Sequence, residues 1–302
     1  MGTVPDSPIQ GGPRSDEQGD LGPVAGDDRS PHLAAVAAEP AVRIDHVTVR
    51  YGRILAVDDA DLAFPAGCVV AVIGPNGSGK STLLSTISGL VQPTRGQVRV
   101  NGRSPNHRNR QVAHVLQTTI ANEAVPLTVR ETVRMGCYAH SGPFRPLRRE
   151  DRTAVAEAIE RMRIEDLVSR QLHELSGGQR QRVYVAQGLA QRADVLLLDE
   201  PITGLDLITQ ETITEVMQAE RDAGRTVVFT THDVGTARLA DHTVLIATSV
   251  VAAGEPSEVL VPEHLAKAYG GHLHVLDDGT VVLDEPGGPH GPHDRPPDHH
   301  TH

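Results

Sequence analysis

Short apolar segments alternate with amphipathic ones along the middle of the chain, which predicts strands separated by helices. Arg43–Arg50 alternates apolar and polar side chains, as a half-buried strand does. Cys68–Ile73 is continuously apolar, which is typical of a strand buried on both faces. Val195–Leu198 and Thr226–Thr230 are short and rich in β-forming residues, and each precedes a helical stretch. This alternation predicts an α/β fold with a parallel sheet and helices packed on it.

Three further segments complete the predicted architecture. A strand is expected at Asp61–Phe64. Between about residues 125 and 190 the pattern is mostly helical, with apolar positions at helical spacing in Ala154–Arg163, so we expect a helical lobe inserted into the core. Leu273–Leu276 and Thr280–Leu283 flank Asp277-Asp278-Gly279, which predicts a hairpin with glycine where a positive φ is needed.

The two ends of the chain differ from its middle in composition. Residues 1–40 contain six prolines and six glycines without apolar periodicity, and residues 285–302 contain five prolines, three glycines and five histidines. Such segments bury too little apolar surface to offset the entropy of ordering the backbone. We therefore expect a disordered leader at 1–40, a folded part at 41–284 and a disordered His-rich tail at 285–302.

The net charge of −11 is concentrated at these ends, since residues 1–40 and 277–302 carry −5 each. The middle is nearly neutral, which disfavours a surface that binds duplex DNA. With 2% aromatic residues, a platform that stacks the bases of single-stranded nucleic acid is not expected either. We therefore predict no nucleic-acid partner. The apolar runs are shorter than the roughly 20 residues that cross a bilayer. Two cysteines and no basic start before an apolar core favour a reducing cytoplasm over secretion.

The segment that follows the strand Cys68–Ile73 matches the phosphate-binding loop G-x-x-x-x-G-K-[ST]. Its glycines allow backbone N–H groups to curve around an anion, and the next helix, expected over Lys80–Ser88, directs its positive end at the same anion. Lys80 supplies a charge to the β and γ phosphates, and Ser81 offers a hydroxyl to Mg²⁺. The alternative is an ordinary glycine-rich turn. The predicted ATP-binding residues are Gly74, Pro75, Asn76, Gly77, Ser78, Gly79, Lys80, Ser81 and Thr82.

Two carboxylates follow the apolar run Val195–Leu198. Asp199, at the end of a buried strand, can reach a metal ion at the sheet edge where nucleotides bind, and Glu200 could accept a proton from the attacking water. Taken alone, the pair could simply end a strand and start a loop.

A second glycine-containing segment opens a helix expected over Gln179–Ala190. Leu175, Ser176, Gly177, Gly178 and Gln179 present a hydroxyl and backbone donors at its start. The simpler interpretation is an N-cap worth about 1 kcal/mol. Since one chain needs one γ-phosphate cradle, a second anion site suggests that two chains share each nucleotide.

These motifs, in this order, resemble the ATP-binding cassette (ABC) family over about residues 41–270. The resemblance implies a P-loop NTPase fold of the ABC type, with an inserted helical lobe, an antiparallel β subdomain, and ATP and Mg²⁺ as cofactors. Gly74–Ser81 resembles the Walker A motif, Leu175–Gln179 the signature motif, and Asp199-Glu200 the Walker B motif with its catalytic glutamate. Asp206 resembles the D-loop aspartate that contacts the opposite subunit.

Three single residues also match family positions. Gln117 resembles the Q-loop glutamine that binds Mg²⁺ and senses the permease, His232 the switch histidine at the γ-phosphate, and Tyr51 the aromatic that stacks on adenine. Each has a plainer interpretation when taken alone. Gln117 could be a strand-end polar residue, His232 a satisfied loop histidine, and Tyr51 a residue that packs beside the first strand.

Several segments are similar to the cassette subunits of zinc, manganese or iron importers, namely Val125–Gly136 with Phe144-Arg145-Pro146, Glu200–Asp206 and Pro262–Gly270. This similarity implies a cassette homodimer on the cytoplasmic face of the membrane, two copies of an integral membrane permease and an extracytoplasmic metal-binding protein. Ile202, Leu116 and Gln187-Gly188 depart from the group's usual residues and leave the substrate open. Another small solute, an exporter, or a non-transport cassette ATPase are the alternatives.

The predicted tail offers separate evidence on metals. His290, His293, His299, His300 and His302 lie within thirteen residues. Imidazoles bind zinc and similar ions, and a His-rich tract can do so weakly without a preformed site. Biased composition in a disordered tail explains the same pattern.

Overall fold

The computed structural model describes residue 1 and residues 39–105, 111–116, 126–141, 146–270, 273–275 and 281–283. All elements given below lie within Ala38–His302. Nearly all of the predicted leader, the whole predicted tail and the turn Asp277–Gly279 lie outside the described residues.

The described part of the chain alternates strands and helices as the apolar pattern predicts. Its strands are β1 (Val42–Tyr51), β2 (Ile54–Phe64), β3 (Val69–Ile73), β4 (Arg95–Val100), β5 (Val112–Val115), β6 (Val195–Leu198), β7 (Thr226–Thr231), β8 (His242–Ala247), β9 (Ser249–Gly254), β10 (Leu273–Val275) and β11 (Val281–Leu283). Its α-helices are α1 (Lys80–Ile87), α2 (Val129–Ser141), α3 (Arg149–Arg161), α4 (Gly177–Ala190), α5 (Leu207–Asp222), α6 (Val234–Ala237), α7 (Pro256–Val259) and α8 (Pro262–Tyr269).

A six-stranded sheet in the order β5-β6-β7-β3-β8-β9 forms the centre of the fold. Its strands are parallel except β9, which pairs antiparallel with β8. Every residue of β3, β6 and β7 is buried, which explains why the apolar runs that predict them are continuous.

Successive residues of these strands enter two different hydrophobic clusters, one on each face of the sheet. Val69, Ala71 and Ile73 of β3 pack into the cluster that includes residues of α2, α3, α4 and α5. Val70 and Val72 pack into the other, with residues of α1 and of a second sheet. That second sheet is antiparallel, in the order β2-β1-β4, and β10 and β11 form a separate antiparallel pair.

Two predicted boundaries were wrong. β2 begins at Ile54, not Asp61, because its first half pairs with the end of β1 while charged Asp58 and Asp59 and a register shift interrupt the alternation of apolar and polar positions. α4 begins at Gly177, not Gln179, because Ser176 caps the helix and both glycines form its first turn.

A buried carboxylate joins the end of α3 to α5 and β7. The Glu220 side chain is 5% exposed and accepts hydrogen bonds from Arg161 Nη1 at 2.6 Å and from Arg225 Nη2 at 2.6 Å. The hydrogen bond to Glu220 raises the pKa of the Arg225 guanidinium. The end of α3 is thereby attached to the central sheet by ionic contacts as well as by apolar packing.

No helix among the described residues is long and apolar enough to cross a bilayer. In the same part of the chain, no three His, Cys, Asp or Glu side chains are grouped so that they could hold a metal ion.

We expect Glu220→Gln to lower the free energy of unfolding by about 3 kcal/mol, because it leaves two guanidinium groups without their buried counter-charge. Urea unfolding followed by circular dichroism would measure the loss. Glu215→Gln is the matched control. Glu215 lies on α5 like Glu220 but forms an exposed ion pair, with Arg163, and the loss of that pair should cost below about 1 kcal/mol. An equal loss of unfolding free energy in the two variants would contradict the conclusion that burial makes the Glu220 ion pairs more stabilising than the exposed one.

Candidate nucleotide-binding site

The loop between β3 and α1 curves back on itself through two glycines in the left-handed region. Gly77 has φ 78° and Gly79 has φ 100°. The N–H of Ser78 donates to Pro75 O at 3.1 Å, which closes the turn. Gly79 is the N-cap of α1 and has no side chain to cap it, so the first turn of α1 faces the loop through backbone N–H groups. Such a helix start favours an anion.

Neighbouring backbone fixes this loop from two sides. A Cβ on Gly74 would lie 2.0 Å from Ile246 O, and a Cβ on Gly79 would lie 2.3 Å from Ala56 O. The N–H of Thr248 donates to Ser78 O at 2.9 Å, and Thr248 O accepts from Asp58 N at 2.8 Å. The β8–β9 turn thus connects the loop to β2, and glycine is required at both points of close approach.

Lys80 lies under the loop with its side chain buried. Its Nζ donates to Gly74 O at 2.8 Å and to Pro75 O at 3.1 Å. These carbonyls hold the ammonium group at the loop, where a phosphate could replace them as partner. Of the other predicted ATP-binding residues, Asn76 and Ser81 are exposed and Thr82 is partly buried.

The carboxylates that follow β6 lie next to the end of β7. Asp199 is 5% exposed, and its Oδ1 accepts from Thr230 Oγ1 at 2.6 Å. The N–H of Glu200 donates to the same hydroxyl at 2.8 Å. Glu200 has φ 47°, an uncommon conformation for a residue with a side chain. His232 Nδ1 lies 4.0 Å from Glu200 Oε1. Asp199, Glu200 and His232, predicted from separate motifs, therefore meet at one sheet edge.

The predicted signature segment begins α4 with a reciprocal cap. Ser176 Oγ accepts from Gln179 N at 3.2 Å, and Ser176 N donates to Gln179 Oε1 at 3.1 Å. The N-cap interpretation is thus confirmed. It is compatible with an anion site, because the other hydrogen-bond donors of this segment are backbone N–H groups at the start of α4. Leu175 is buried, whereas Ser176 and Gly177 are exposed.

The signature segment also contacts the predicted D-loop aspartate of the same chain. A Cβ on Gly178 would lie 2.8 Å from Asp206 Oδ2 and 3.0 Å from Thr209 Oγ1, so a larger residue would require these two side chains to shift. Asp206 caps α5 by accepting from Thr209 N and Thr209 Oγ1, both at 2.9 Å. These hydrogen bonds hold the pKa of Asp206 below its ordinary value. Its exposed side chain keeps its charge at neutral pH.

Tyr51 and Gln117 are the two remaining predicted site residues. Tyr51 ends β1 and is 49% exposed as a residue, which leaves ring surface for stacking. Gln117 lies outside the described residues, just after Leu116 at the end of β5.

Two polar residues near the site were missed by the motif analysis. Thr230 forms hydrogen bonds with both Asp199 and Glu200. The sequence feature that could have identified it is a hydroxyl residue near the end of an apolar strand. His114 on β5 lies within hydrogen-bond distance of Ser88, with Nδ1 3.0 Å from Ser88 Oγ. Burial lowers the pKa of His114 to about 4, against the opposing effect of the Asp199 carboxylate. His114 is therefore neutral at physiological pH.

A parallel sheet with a phosphate loop at one edge, carboxylates on the neighbouring strand and a second capped helix defines a nucleotide-hydrolysing cassette. The family model described as "ABC transporter" matches residues 57–203. The chain is 39% identical to the chelated iron transport system membrane protein YfeB of Yersinia pestis, over 83% of this chain and 86% of that protein. It is 36% identical to the manganese transport system ATP-binding protein MntA of Synechocystis, over 79% and 94%.

A zinc transport system ATP-binding protein, TroB of Treponema pallidum, is 39% identical over 77% of this chain and 88% of its own. Among solved structures, a dimeric bacterial ABC transporter cassette, MJ0796, matches with TM-score 0.63 and 28% identity, over 71% of this chain and 98% of that one. The chain belongs to the ABC transporter family. It has the fold of the ABC ATPases, which bind and hydrolyse ATP and whose cassettes dimerise and work with membrane permeases.

We expect the stability of the protein to depend on pH through His114. Its pKa of about 4 in the folded state lies below the ordinary 6.5, so protonation favours the unfolded chain. Its contribution is complete above pH 6.5 and is lost as pH falls towards 4, by at most about 3 kcal/mol. His114→Asn should flatten this part of the pH dependence, measured by urea unfolding at a series of pH values.

The exposed His173 supplies the control, because His173→Asn should leave the wild-type dependence unchanged. Parallel curves for wild type and His114→Asn between pH 7 and pH 4 would show that the buried imidazole does not titrate as described.

Proposed function

We propose that this chain is the ATP-hydrolysing motor of a transporter that imports a divalent metal ion, with zinc, manganese and iron as candidates. The observation that supports the motor role most directly is the convergence of Asp199, Glu200 and His232 beside the strand that leads into the phosphate loop. The metal is supported by the iron, manganese and zinc systems named for three relatives.

In this proposal, residues 74–82 bind the phosphates of ATP. The N–H groups of the loop and of the first turn of α1 face the β and γ phosphates, and the Lys80 ammonium exchanges its carbonyl partners for phosphate oxygens. The ring of Tyr51 stacks on the adenine from the end of β1, a position that its exposure allows.

The available donors fit Mg²⁺, which prefers oxygen ligands. Asp199 is a buried carboxylate, and its Oδ1 already has a hydrogen-bond donor that restricts its orientation. Ser81 contributes an exposed hydroxyl, and Gln117 is the third proposed ligand. Bound Mg²⁺ would neutralise charge on the β and γ phosphates.

Glu200 is the proposed general base for hydrolysis. Its carboxylate accepts a proton from water while the water oxygen bonds to the γ-phosphorus, and the bond from that phosphorus to the β–γ bridging oxygen breaks, which yields ADP and phosphate. His232, 4.0 Å from Glu200 Oε1, is suited to contact the γ-phosphate and to restrict the Glu200 side chain.

We infer that two copies of the chain share each nucleotide, with residues 175–179 of one copy facing the γ-phosphate held by the other. Support comes from the second helix start, whose exposed Ser176 and Gly177 are turned to solvent in one copy. Asp206 is also exposed, and its contact with Gly178 brings both segments to one surface.

The remaining parts of the proposal concern the membrane. The cassette dimer lies on the cytoplasmic face, bound to two permease subunits through the region of Gln117 and the helical lobe, which we place at about 125–190. An extracytoplasmic protein delivers the metal ion. Selectivity for one metal would then reside in those other subunits.

Glu200→Gln should retain ATP binding while the turnover number falls by about 10²–10⁴-fold, because the amide cannot accept the proton. With hydrolysis blocked, an ATP-bound dimer should accumulate. Phosphate release measures turnover, and size-exclusion chromatography with light scattering measures the dimer.

Glu211→Gln on the exposed side of α5 is the matched control and should hydrolyse ATP like the wild type without trapping a dimer. Hydrolysis at the wild-type rate by Glu200→Gln would remove Glu200 from the role of base.

Deletion of the gene should reduce cellular uptake of radioactive zinc, manganese or iron, because the permease would have no source of ATP-driven motion. The wild-type gene should restore uptake and the Glu200→Gln gene should not. Normal uptake of all three metals in the deletion strain would contradict metal import and favour another solute.

A further inference from the structure

We propose that Thr230 is a positioning residue for hydrolysis, whose hydroxyl orients the Asp199 carboxylate and holds the backbone of Glu200. This inference rests on the roles proposed above for Asp199 and Glu200. Thr230 is fully buried on β7 and would reach the reaction only through these two neighbours.

The hydroxyl of Thr230 is located between the two acidic residues. In the register of β6 and β7, Leu198 lies opposite Phe229, so Asp199 and Thr230 are the next residues of adjacent strands. Thr230 Oγ1 is 2.6 Å from Asp199 Oδ1 and 2.8 Å from the nitrogen of Glu200. One side-chain atom therefore contacts both members of the Walker B pair.

The chemistry of these groups fixes the direction of each hydrogen bond. A hydroxyl has one hydrogen to donate and lone pairs to accept. The Glu200 N–H can only donate, so Thr230 Oγ1 accepts from it and gives its own hydrogen to Asp199 Oδ1. That donation restricts the rotation of the Asp199 carboxylate, while Oδ2 stays free of this contact. An oxygen held in this way is suited to a cation with strict geometry.

The second hydrogen bond stabilises an unfavourable backbone conformation. Glu200 has φ 47°, where the Cβ of an ordinary residue crowds the backbone. Its N–H points at Thr230, next to the buried Asp199. Without this acceptor, the residue could return to negative φ, and its carboxylate would move relative to His232, now 4.0 Å away.

The same strand provides a control for a merely structural effect. Thr226, at the opposite end of β7, is 2% exposed, and its Oγ1 accepts from the N–H of Gly67 at 3.0 Å. Replacing either threonine by valine removes a buried hydroxyl from β7 with almost no change of volume. Only the change at Thr230 affects the acidic pair.

The test compares Thr230→Val, Thr230→Ser and Thr226→Val in the full chain. For Thr230→Val we expect kcat to fall and the Mg²⁺ concentration for half-maximal activity to rise, each by about 10–100-fold, as for other groups that orient metal ligands. ATP binding in EDTA and the KM for ATP should stay close to wild type. Thr230→Ser keeps the hydroxyl and should recover most of kcat, and Thr226→Val should retain it.

Wild-type kcat and Mg²⁺ dependence in folded Thr230→Val would overturn the inference, as would an equal loss of kcat in Thr226→Val. If Thr230→Val does not fold, Thr230→Ser and Thr230→Ala make the same comparison, and equal activity of these two variants would also overturn it. Hydrolysis by Glu200→Gln at the wild-type rate would instead contradict the role of base proposed for Glu200, whatever the Thr230 variants do.

Discussion

The parallel pairing of β7 between β6 and β3 is the constraint on which the site depends. Phe229 lies opposite Leu198 on one side and Ala71 on the other, so the three strands reach the sheet edge together. The phosphate loop, the acidic pair and His232 follow them there. A shift of register by one residue would exchange the two buried faces, so the apolar packing also fixes the position of the polar residues.

The same packing explains why the polar residues at this edge depend on one another. Asp199 is nearly inaccessible to water, and a buried carboxylate without a hydrogen-bond donor would be costly. Its donor is Thr230, from the adjacent strand. Lys80 is also buried, and backbone carbonyls of the loop satisfy it. The interior thus favours one arrangement of each charged group before any nucleotide binds.

The sequence predicts those parts of the molecule that depend on local pattern. β3, β6 and β7 are continuous apolar runs, so they could be located closely. The first half of β2 could not, because Asp58 and Asp59 interrupt its alternation, and its place depends on pairing with β1. The same distinction applies to the site. The loop and the acidic pair are contiguous motifs, whereas Thr230 meets Asp199 only through the register of strands 31 residues apart.

α5 connects two regions that no single motif relates. At its first turn, Asp206 caps the helix and contacts the signature segment at Gly178. Near its last turn, Glu220 binds Arg161 at the end of α3. The helix has 16 residues and is therefore about 24 Å long. Because these contacts lie at opposite ends of one helix, α5 joins the signature segment to the end of α3 by polar contacts, in addition to the apolar core in which α3, α4 and α5 all take part.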